Sequence, residues 1–319
     1  MKDINILMLG GAKRVSVATK IALMAYRMDM RANLYSWELS EILPIASVAE
    51  IVKGGRWNDP DILEQLHKVV KEKNIDMIIP FVDGAIGVTA RYIEKYNDVW
   101  APVGSYAGVE DMFDKKIAAE KFLEAGLPIP QTYTGNNIAF PLIAKPRKGS
   151  ASAGIRIVGN GEELKNLPLP VSEYLLQEYI PDAEEITVDC YRTVSGKIIA
   201  VVPRIRLEIL GGEATRTRTI SSPEIEKLSR IALEKLDLRG AVTIQYLRSR
   251  LDGKVMLMEI NPRLGGGVVC SIHAGANFPE YILADATGQE IGACTDWRKD
   301  VEIVRYMQEV VFENGEVVG

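Results

Sequence analysis

The first hundred residues alternate between short apolar runs and segments with helical spacing. The apolar runs predict strands at residues 4–9, 32–36 and 75–81. The periodic segments predict helices at residues 15–27, 59–73 and 84–96. Strands that alternate with helices indicate a parallel sheet with covered faces. We therefore predict an α/β, Rossmann-like N-terminal domain over residues 1–108.

The remainder of the chain predicts an α+β fold with mostly antiparallel strands. Its predicted strands lie at residues 140–145, 155–158, 174–180, 185–191, 197–202, 241–247 and 255–259. Its predicted helices lie at residues 111–126, 223–236 and 277–287, and a last extended piece covers 303–312.

The strand at residues 255–259 ends in a carboxylate, Glu259, and Asn261 follows two positions later. In a strand, residues two apart point to the same face. Two oxygen donors at the end of a buried strand suit a hard cation such as Mg²⁺. The alternative is a solvated carboxylate at a strand end.

A hairpin turn is predicted at Asp252-Gly253, between this strand and the one before it. If the hairpin is centred on Asp252, Gln245 lies opposite Glu259 and shares its face. If the turn is centred half a step later, Gln245 points to the other face. The three-residue metal site depends on this register.

The strand at residues 140–145 ends in Lys145, and the loop 146–154 that follows is rich in small residues. A lysine that closes an apolar strand is partly buried and needs an anionic partner. The loop predicts a flexible flap whose N–H groups fold over phosphates. The alternative for Lys145 is a lysine at the sheet edge whose ammonium reaches solvent.

The turn after the first strand, Gly10-Gly11, lacks the full glycine fingerprint of dinucleotide-binding proteins. Such a site also needs an acid at the end of the second strand, and Glu38 is loosely placed for that. We interpret this turn as a tight connection with some anion affinity.

Composition narrows the class of protein. The chain has 319 residues, of which 47% are hydrophobic and 25% charged, and its formal charge is −5. No basic surplus indicates nucleic-acid binding, and no apolar run is long enough to predict a membrane span. Three cysteines without metal-ligand spacing indicate a reducing cytoplasm, and two histidines disfavour a histidine triad or a zinc site.

The candidate site residues and motifs follow one another along the chain in a recognisable order. They are Asp114-Lys115, Lys145 with its flap, residues 177–180 with Glu185, Gln245, and the run from Glu259 to Arg263. This order resembles the ATP-grasp superfamily, in particular its carbamoyl-phosphate-synthase-like and amino-acid-ligase-like members. The resemblance covers nearly the whole chain. It implies an ATP-grasp fold with two subdomains, a small one with the phosphate flap at residues 109–178 and a large one with the metal and substrate site at 179–319.

The resemblance also implies roles for individual residues. The ATP site would consist of Lys115, Lys145, Gly149, Ser150, Gly154, Glu178, Ile180 and Glu185. In it the lysines hold phosphates, residues 149–154 close over them, Glu178 and Ile180 present backbone to adenine, and Glu185 binds the ribose.

The metal site would consist of Gln245, Glu259 and Asn261, with Mg²⁺ or Mn²⁺ as the ion. Many relatives carry an acid where Gln245 stands, so one or two ions remain open. Arg263 and Arg206 would face the transferred phosphoryl group or the substrate. Asp83 and Ser271 are further substrate candidates.

The predicted activity is a carboxylate–amine ligase that activates a carboxylate as an acyl phosphate. The alternatives are a kinase of the same fold, a nucleotide-binding module without turnover, and an oxidoreductase built on the first domain. The expected partners are a small carboxylate and an amine, with no nucleic acid or membrane, and a homodimer is compatible with the resemblance. Carbamoyl phosphate synthesis itself is disfavoured, because a full synthase carries two such units.

Overall fold

The structure is a computed structural model that describes residues 1–135, 137–149 and 153–318. Its first sheet has the strands β1 (Lys2–Leu9), β2 (Met30–Glu38), β3 (Glu50–Lys53) and β4 (Met77–Pro80). They pair in parallel in the order β3-β2-β1-β4. The helices of this part are α1 (Val15–Arg27), α2 (Ile62–Glu72), α3 (Asp83–Tyr96) and α4 (Tyr106–Phe113), with a 3-10 turn at Pro44–Ser47.

The two faces of β1 pack into different cores. Ile6 and Met8 join one apolar cluster, and Leu7 and Leu9 join another. This explains the continuous apolar run, since a parallel strand covered on both faces has no solvent side. The predicted parallel sheet is confirmed, and the finer Rossmann-like assignment stays a prediction.

The helix predicted at residues 111–126 is wrong as a single element. It is interrupted at Asp114, whose backbone is extended with φ −96° and ψ 104°. The Asp114 carboxylate accepts hydrogen bonds from the N–H groups of Lys116 at 3.0 Å and Ile117 at 3.4 Å. It therefore caps a new helix, α5 (Lys115–Glu124).

A small antiparallel sheet follows. Its elements are β5 (Thr132–Tyr133), β6 (Leu142–Pro146), β7 (Arg156–Val158), α6 (Gly161–Lys165), a 3-10 turn at Val171–Glu173 and β8 (Tyr174–Glu178). The strands pair in the order β5-β8-β6-β7. One face buries a small apolar cluster that includes Leu142, Ala144 and Leu176. The side chain of Lys145 therefore points to the other face, which is open to a cavity.

The largest sheet pairs in the order β13-β12-β9-β10-β11-β14, with every pair antiparallel. The elements of this part are β9 (Ala183–Arg192), β10 (Ile198–Leu210), β11 (Glu213–Thr219), α7 (Pro223–Lys235), β12 (Gly240–Ser249), β13 (Val255–Asn261), α8 (Val268–Ala274), α9 (Phe278–Thr287) and β14 (Glu302–Val304). A short hairpin, β15 (Phe312–Glu313) and β16 (Glu316–Val317), ends the described chain. Helix α8 was not predicted.

The hairpin adopts the first of the two registers that the sequence leaves open. Gln245 pairs with Glu259 and Thr243 pairs with Asn261, so this part of the ladder is centred on Asp252. A bulge after Gln245 shifts the pairs nearer the turn. The bulge leaves the pairing of the predicted metal ligands intact.

The first sheet and the largest sheet share an apolar core. Ile21 and Ala25 of α1 lie in one buried cluster with Phe278 and Ile282 of α9 and with Tyr191 of β9. The boundary predicted at residue 108 thus separates segments that pack together. Within the described ranges, no helix is long and apolar enough to cross a membrane.

Candidate active site

A cavity of about 430 Å³ lies between the small sheet and the largest sheet, which is a typical size for a small-molecule site. Its wall contains many of the predicted site residues: Lys115, Lys145, Gly149, Glu178, Ile180, Glu185, Arg206, Gln245 and Glu259. Gly154 lies between two lining residues, Ala153 and Ile155. Ser150, also predicted for this site, lies outside the described residues.

Lys145 is the most buried charged group in this wall, with 5% of its surface exposed. Its Nζ donates a hydrogen bond to Gln177 Oε1 at 2.9 Å. Burial lowers the pKa of Lys145 to about 8, against the opposing charge of Glu259 and with help from the charge of Lys115. The ammonium is therefore undercompensated inside the protein, which favours the arrival of an anion.

Lys115 reaches the cavity from the first turn of α5. Its Nζ donates to the carbonyl of Gly149 at 2.6 Å, and its backbone N–H donates to Arg147 O at 2.9 Å. The two lysines thus reach the cavity from different elements, Lys115 from a helix and Lys145 from a strand.

The start of α5 is tied to the loop 146–154 by an ion pair that sequence reasoning missed. Arg147 donates to Asp114 at 2.6 Å through Nη2. Burial opposes ionisation of Asp114, but the hydrogen bonds from Arg147 and from two amides outweigh it and hold its pKa below the usual range. Asp114 therefore positions Lys115 against the loop that begins with Gly149.

The predicted metal ligands present one carboxylate and two amide oxygens. Gln245 and Glu259 face each other across the hairpin and both line the cavity. Asn261 is buried, and its Oδ1 accepts a bond from Arg263 Nη2 at 3.3 Å. Among the described residues, no group of three or more His, Cys, Asp or Glu is placed to hold a metal ion. Any cation here would need further negative charge from a bound ligand.

Arg206 lies in the cavity beside the residue predicted for the ribose. It donates to Glu185 Oε2 at 2.5 Å and to the carbonyl of Gly212 at 2.8 Å. Arg204, two positions earlier, is buried in a bidentate pair with Asp189 at 2.7 and 3.0 Å. The two arginines therefore have different surroundings: Arg206 faces the cavity, and Arg204 is enclosed in the protein interior.

Arg263 joins the first sheet to the largest one. Its Nε donates to Asp83 Oδ1 at 2.7 Å, and Asp83 is the first residue of α3. Arg263 and Asp83, both candidate substrate residues from the sequence, thus meet at the end of β13. Ser271 is not available in the same way, because it is fully buried and bonded to Asp189 at 2.6 Å. The expectation that Ser271 meets substrate is wrong.

The three glycines after Arg263 make room for polar groups of the protein itself. A Cβ on Gly265 would lie 2.8 Å from Thr243 Oγ1, and one on Gly267 would lie 2.5 Å from Arg204 Nη1. A Cβ on Gly266 would meet Arg14 and Arg305. The groups that approach these three glycines are therefore guanidinium and hydroxyl groups of the chain itself.

The glycine turn of the first sheet also holds a group of its own. Glu38 ends β2, and its carboxylate accepts a hydrogen bond from Ser36 Oγ at 2.7 Å. Burial raises the pKa of Glu38, and the Ser36 hydroxyl and the nearby amides of Ala12 and Gly11 oppose this shift. A carboxylate thus lies beside the amides that would bind a dinucleotide phosphate, which disfavours an oxidoreductase.

Residues 171–310 match the family described as ATP-grasp in the biosynthetic pathway with Ter operon. The carbamoyl phosphate synthase large chain of Thermotoga petrophila is 22% identical over 238 residues, which cover 65% of this chain and 22% of that protein. The chain thus spans about a fifth of the length of that relative.

Solved structures share the fold. The biotin carboxylase domain dimer of 2-oxoglutarate carboxylase from Hydrogenobacter thermophilus, in complex with MgADP, ADP and bicarbonate, is similar with a TM-score of 0.76 at 17% identity, over 93% of this chain and 73% of that one. The L-amino acid ligase of Bacillus licheniformis is similar with a TM-score of 0.71 at 18% identity, over 90% of this chain and 74% of that one. The predicted resemblance to the ATP-grasp superfamily and the ATP-grasp fold are confirmed.

Proposed function

We propose that this ATP-grasp chain is an ATP-dependent carboxylate–amine ligase. One observation carries the proposal: the buried ammonium of Lys145 and the facing pair of Gln245 and Glu259 open on the same cavity. The ammonium of Lys145 is one positive charge, and the pair of Gln245 and Glu259 offers a site for a second, a metal ion. Two such charges suit a polyphosphate, whose negative charge must be neutralised. The relatives named above support an ATP site with this fold.

The donor set fits Mg²⁺. Magnesium is usually held by one or two carboxylates together with phosphate oxygens and water. Glu259 would supply the carboxylate, and Gln245 and Asn261 would supply amide oxygens. When bound, Mg²⁺ or Mn²⁺ would offset charge on the transferred phosphoryl group.

The proposed reaction has two steps. A carboxylate oxygen of the acid attacks the γ-phosphorus of ATP, so that a new P–O bond forms, the bond to the bridging oxygen breaks and ADP leaves. An amine then attacks the carbonyl carbon of the acyl phosphate. A C–N bond forms, inorganic phosphate leaves, and the amine loses a proton.

The residues of the chain would bind and orient rather than react covalently. Lys115 and Lys145 would hold phosphate oxygens, and Glu185 would accept hydrogen bonds from the ribose. Arg263 would face the acid or the transferred group. The flap that begins at Gly149 would exclude water, because an acyl phosphate is otherwise hydrolysed.

An ADP-release assay tests the proposal. The purified chain is incubated with Mg²⁺ and ATP and screened against small carboxylates, each with and without a set of amino acids. A ligase releases ADP at full rate only when acid and amine are both present, and hydroxylamine in place of the amine yields a hydroxamate. ADP release with a phosphorylated product and no dependence on an amine would establish the kinase alternative instead.

We also propose that both organic substrates are small molecules and that the chain forms a homodimer. The dimer proposal is supported by the biotin carboxylase domain, which is described as a dimer. Light scattering on the purified chain measures the mass directly. A mass equal to that of a single chain at assay concentration would contradict it.

A further inference from the structure

Two arginines that the predicted site does not contain converge on Gly266. Arg14 precedes α1, and Arg305 follows β14. A Cβ on Gly266 would lie 3.4 Å from a terminal nitrogen of each arginine. Arg305 donates to the carbonyl of Gly266 and also to the carboxylate of Glu213. Arg14 Nη2 lies 3.9 Å from the other oxygen of Glu213.

Positive charge is in excess at this point. Arg263 is close enough for its charge to act on Arg14, and it has its own partner, Asp83. Within the described ranges, Glu213 is the one carboxylate in an ion pair with Arg14 and with Arg305. Burial lowers the pKa of Arg14; the charge of Glu213 opposes this shift, and the charges of Arg263 and Arg305 add to it.

The side chain of Glu213 is placed so that it can move away from Arg14 and Arg305. It begins β11, directly after the turn Gly211-Gly212, and 54% of its side chain is exposed. The ladder between β10 and β11 is irregular on both sides of Glu208. A side chain at the end of an irregular hairpin moves at lower cost than one inside a regular ladder.

The same hairpin reaches the cavity. Arg206 joins the carbonyl of Gly212 to Glu185 in the cavity wall. Arg14 and Arg305, which hold Glu213, meet at Gly266, three residues after Arg263 in the turn that follows β13. The strand β13 itself carries Glu259 into the cavity wall. A substrate bound at Arg263 would also feel the charge of Arg14, because the charge of Arg263 acts on Arg14.

We propose that Arg14 and Arg305 form a second anion subsite, which binds a carboxylate of the substrate that is not activated, and that Glu213 fills this subsite until the substrate displaces it. This inference rests on the proposed ligase function and names its acid as one with two anionic groups. Guanidinium groups suit a carboxylate because they offer paired N–H donors.

A binding experiment without nucleotide tests the subsite. Succinate and butyrate have the same number of carbons and differ by one carboxylate, and their binding is measured by calorimetry at low ionic strength. Glu213→Gln should bind succinate about tenfold more tightly than the unchanged chain, since one competing carboxylate is gone. Butyrate should bind equally to both. Adding Arg305→Gln to Glu213→Gln should remove the gain.

Glu208→Gln is the matched control, because Glu208 carries the same charge on the same hairpin and pairs with Arg216. Equal gains in Glu208→Gln and Glu213→Gln would reduce the effect to general electrostatics and overturn the subsite. No gain in Glu213→Gln would make Glu213 a structural partner only, with the same consequence. A gain for inorganic phosphate without one for succinate would overturn the carboxylate assignment.

The two proposals fail separately. Succinate binding is measured without ATP, so it does not depend on turnover. If succinate binds as expected but no dicarboxylate or amino acid supports ADP release, the ligase function is wrong and the subsite stands. If monocarboxylates alone support ADP release at full rate, the ligase stands and the subsite is wrong.

Discussion

Lys145 should make nucleotide affinity depend on pH above neutrality. In the free protein its pKa is lowered to about 8, chiefly by burial. Bound phosphates would favour the ammonium and return this pKa towards the value of an ordinary lysine, about 10.4. Binding must then take up a proton whenever the free protein has lost it.

The size of the effect follows from linkage. The free protein holds the proton almost fully at pH 7 and has lost it in about nine of ten molecules at pH 9, one unit above its pKa. The dissociation constant of MgADP should therefore rise about tenfold from pH 7 to 9, or about 1.4 kcal/mol. The lowered pKa of Lys145 also makes the folding stability depend on pH, but stability rises with pH where the affinity for MgADP falls. The unfolded chain binds more protons between pH 8 and 10.4, so the unfolding free energy of the ligand-free protein should rise there.

Calorimetry with MgADP measures both quantities, because ADP avoids turnover. Titrations at pH 7, 8 and 9, each in two buffers of different ionisation enthalpy, give the affinity and the number of protons taken up. Uptake should approach one proton at pH 9. Lys145→Arg keeps its charge at every pH and should bind with a flat profile. An unchanged affinity between pH 7 and 9, or the same slope in Lys145→Arg, would refute the placement of Lys145 against phosphate.

Three further outcomes are expected. Glu259→Ala should abolish Mg²⁺-dependent ADP release and leave the circular dichroism spectrum unchanged; unchanged turnover would remove Glu259 from the metal site. Asp114→Ala should lower the unfolding free energy by about 1 kcal/mol through loss of the cap, and should also weaken MgADP binding, as urea unfolding and calorimetry would report. Gly267→Ala should destabilise the fold by about 1–3 kcal/mol, because the new methyl group meets the buried Arg204. Gly292→Ala, where a Cβ has open space, should leave urea unfolding unchanged, and equal effects of the two alanines would contradict the steric explanation.

Local patterns predicted which two strands pair at the site, and they left the register of that pair open. The distances of Gln245 and Glu259 from Asp252 reduced their pairing to two registers, and the structure has the one in which the two residues face each other. Parity along a hairpin is local information, but half a step in the centre of the turn changes the face of Gln245, so residue spacing alone leaves the register open. The parallel sheet was predictable from local patterns as well, since its apolar runs alternate with helices along the chain.

Other features depend on competition between local and distant groups. The break at Asp114 lies between two segments that both favour helix, and its signal is a single capping aspartate. The partner that holds it, Arg147, is a long-range contact. The grouping of Arg14, Glu213 and Arg305 joins segments from both ends of the chain and has no counterpart in residue spacing.

The core shared by α1 and α9 limits how this chain can be divided. A cut at residue 108 would strip the helix that covers Phe278 and Ile282, which are buried in that core. The part of the chain after residue 108, expressed alone or fused to another protein, would expose this apolar surface to water, where it promotes aggregation. Exchange of the N-terminal segment between relatives would therefore require that α9 be redesigned with it. The unit that can be transplanted is the first sheet together with the largest sheet.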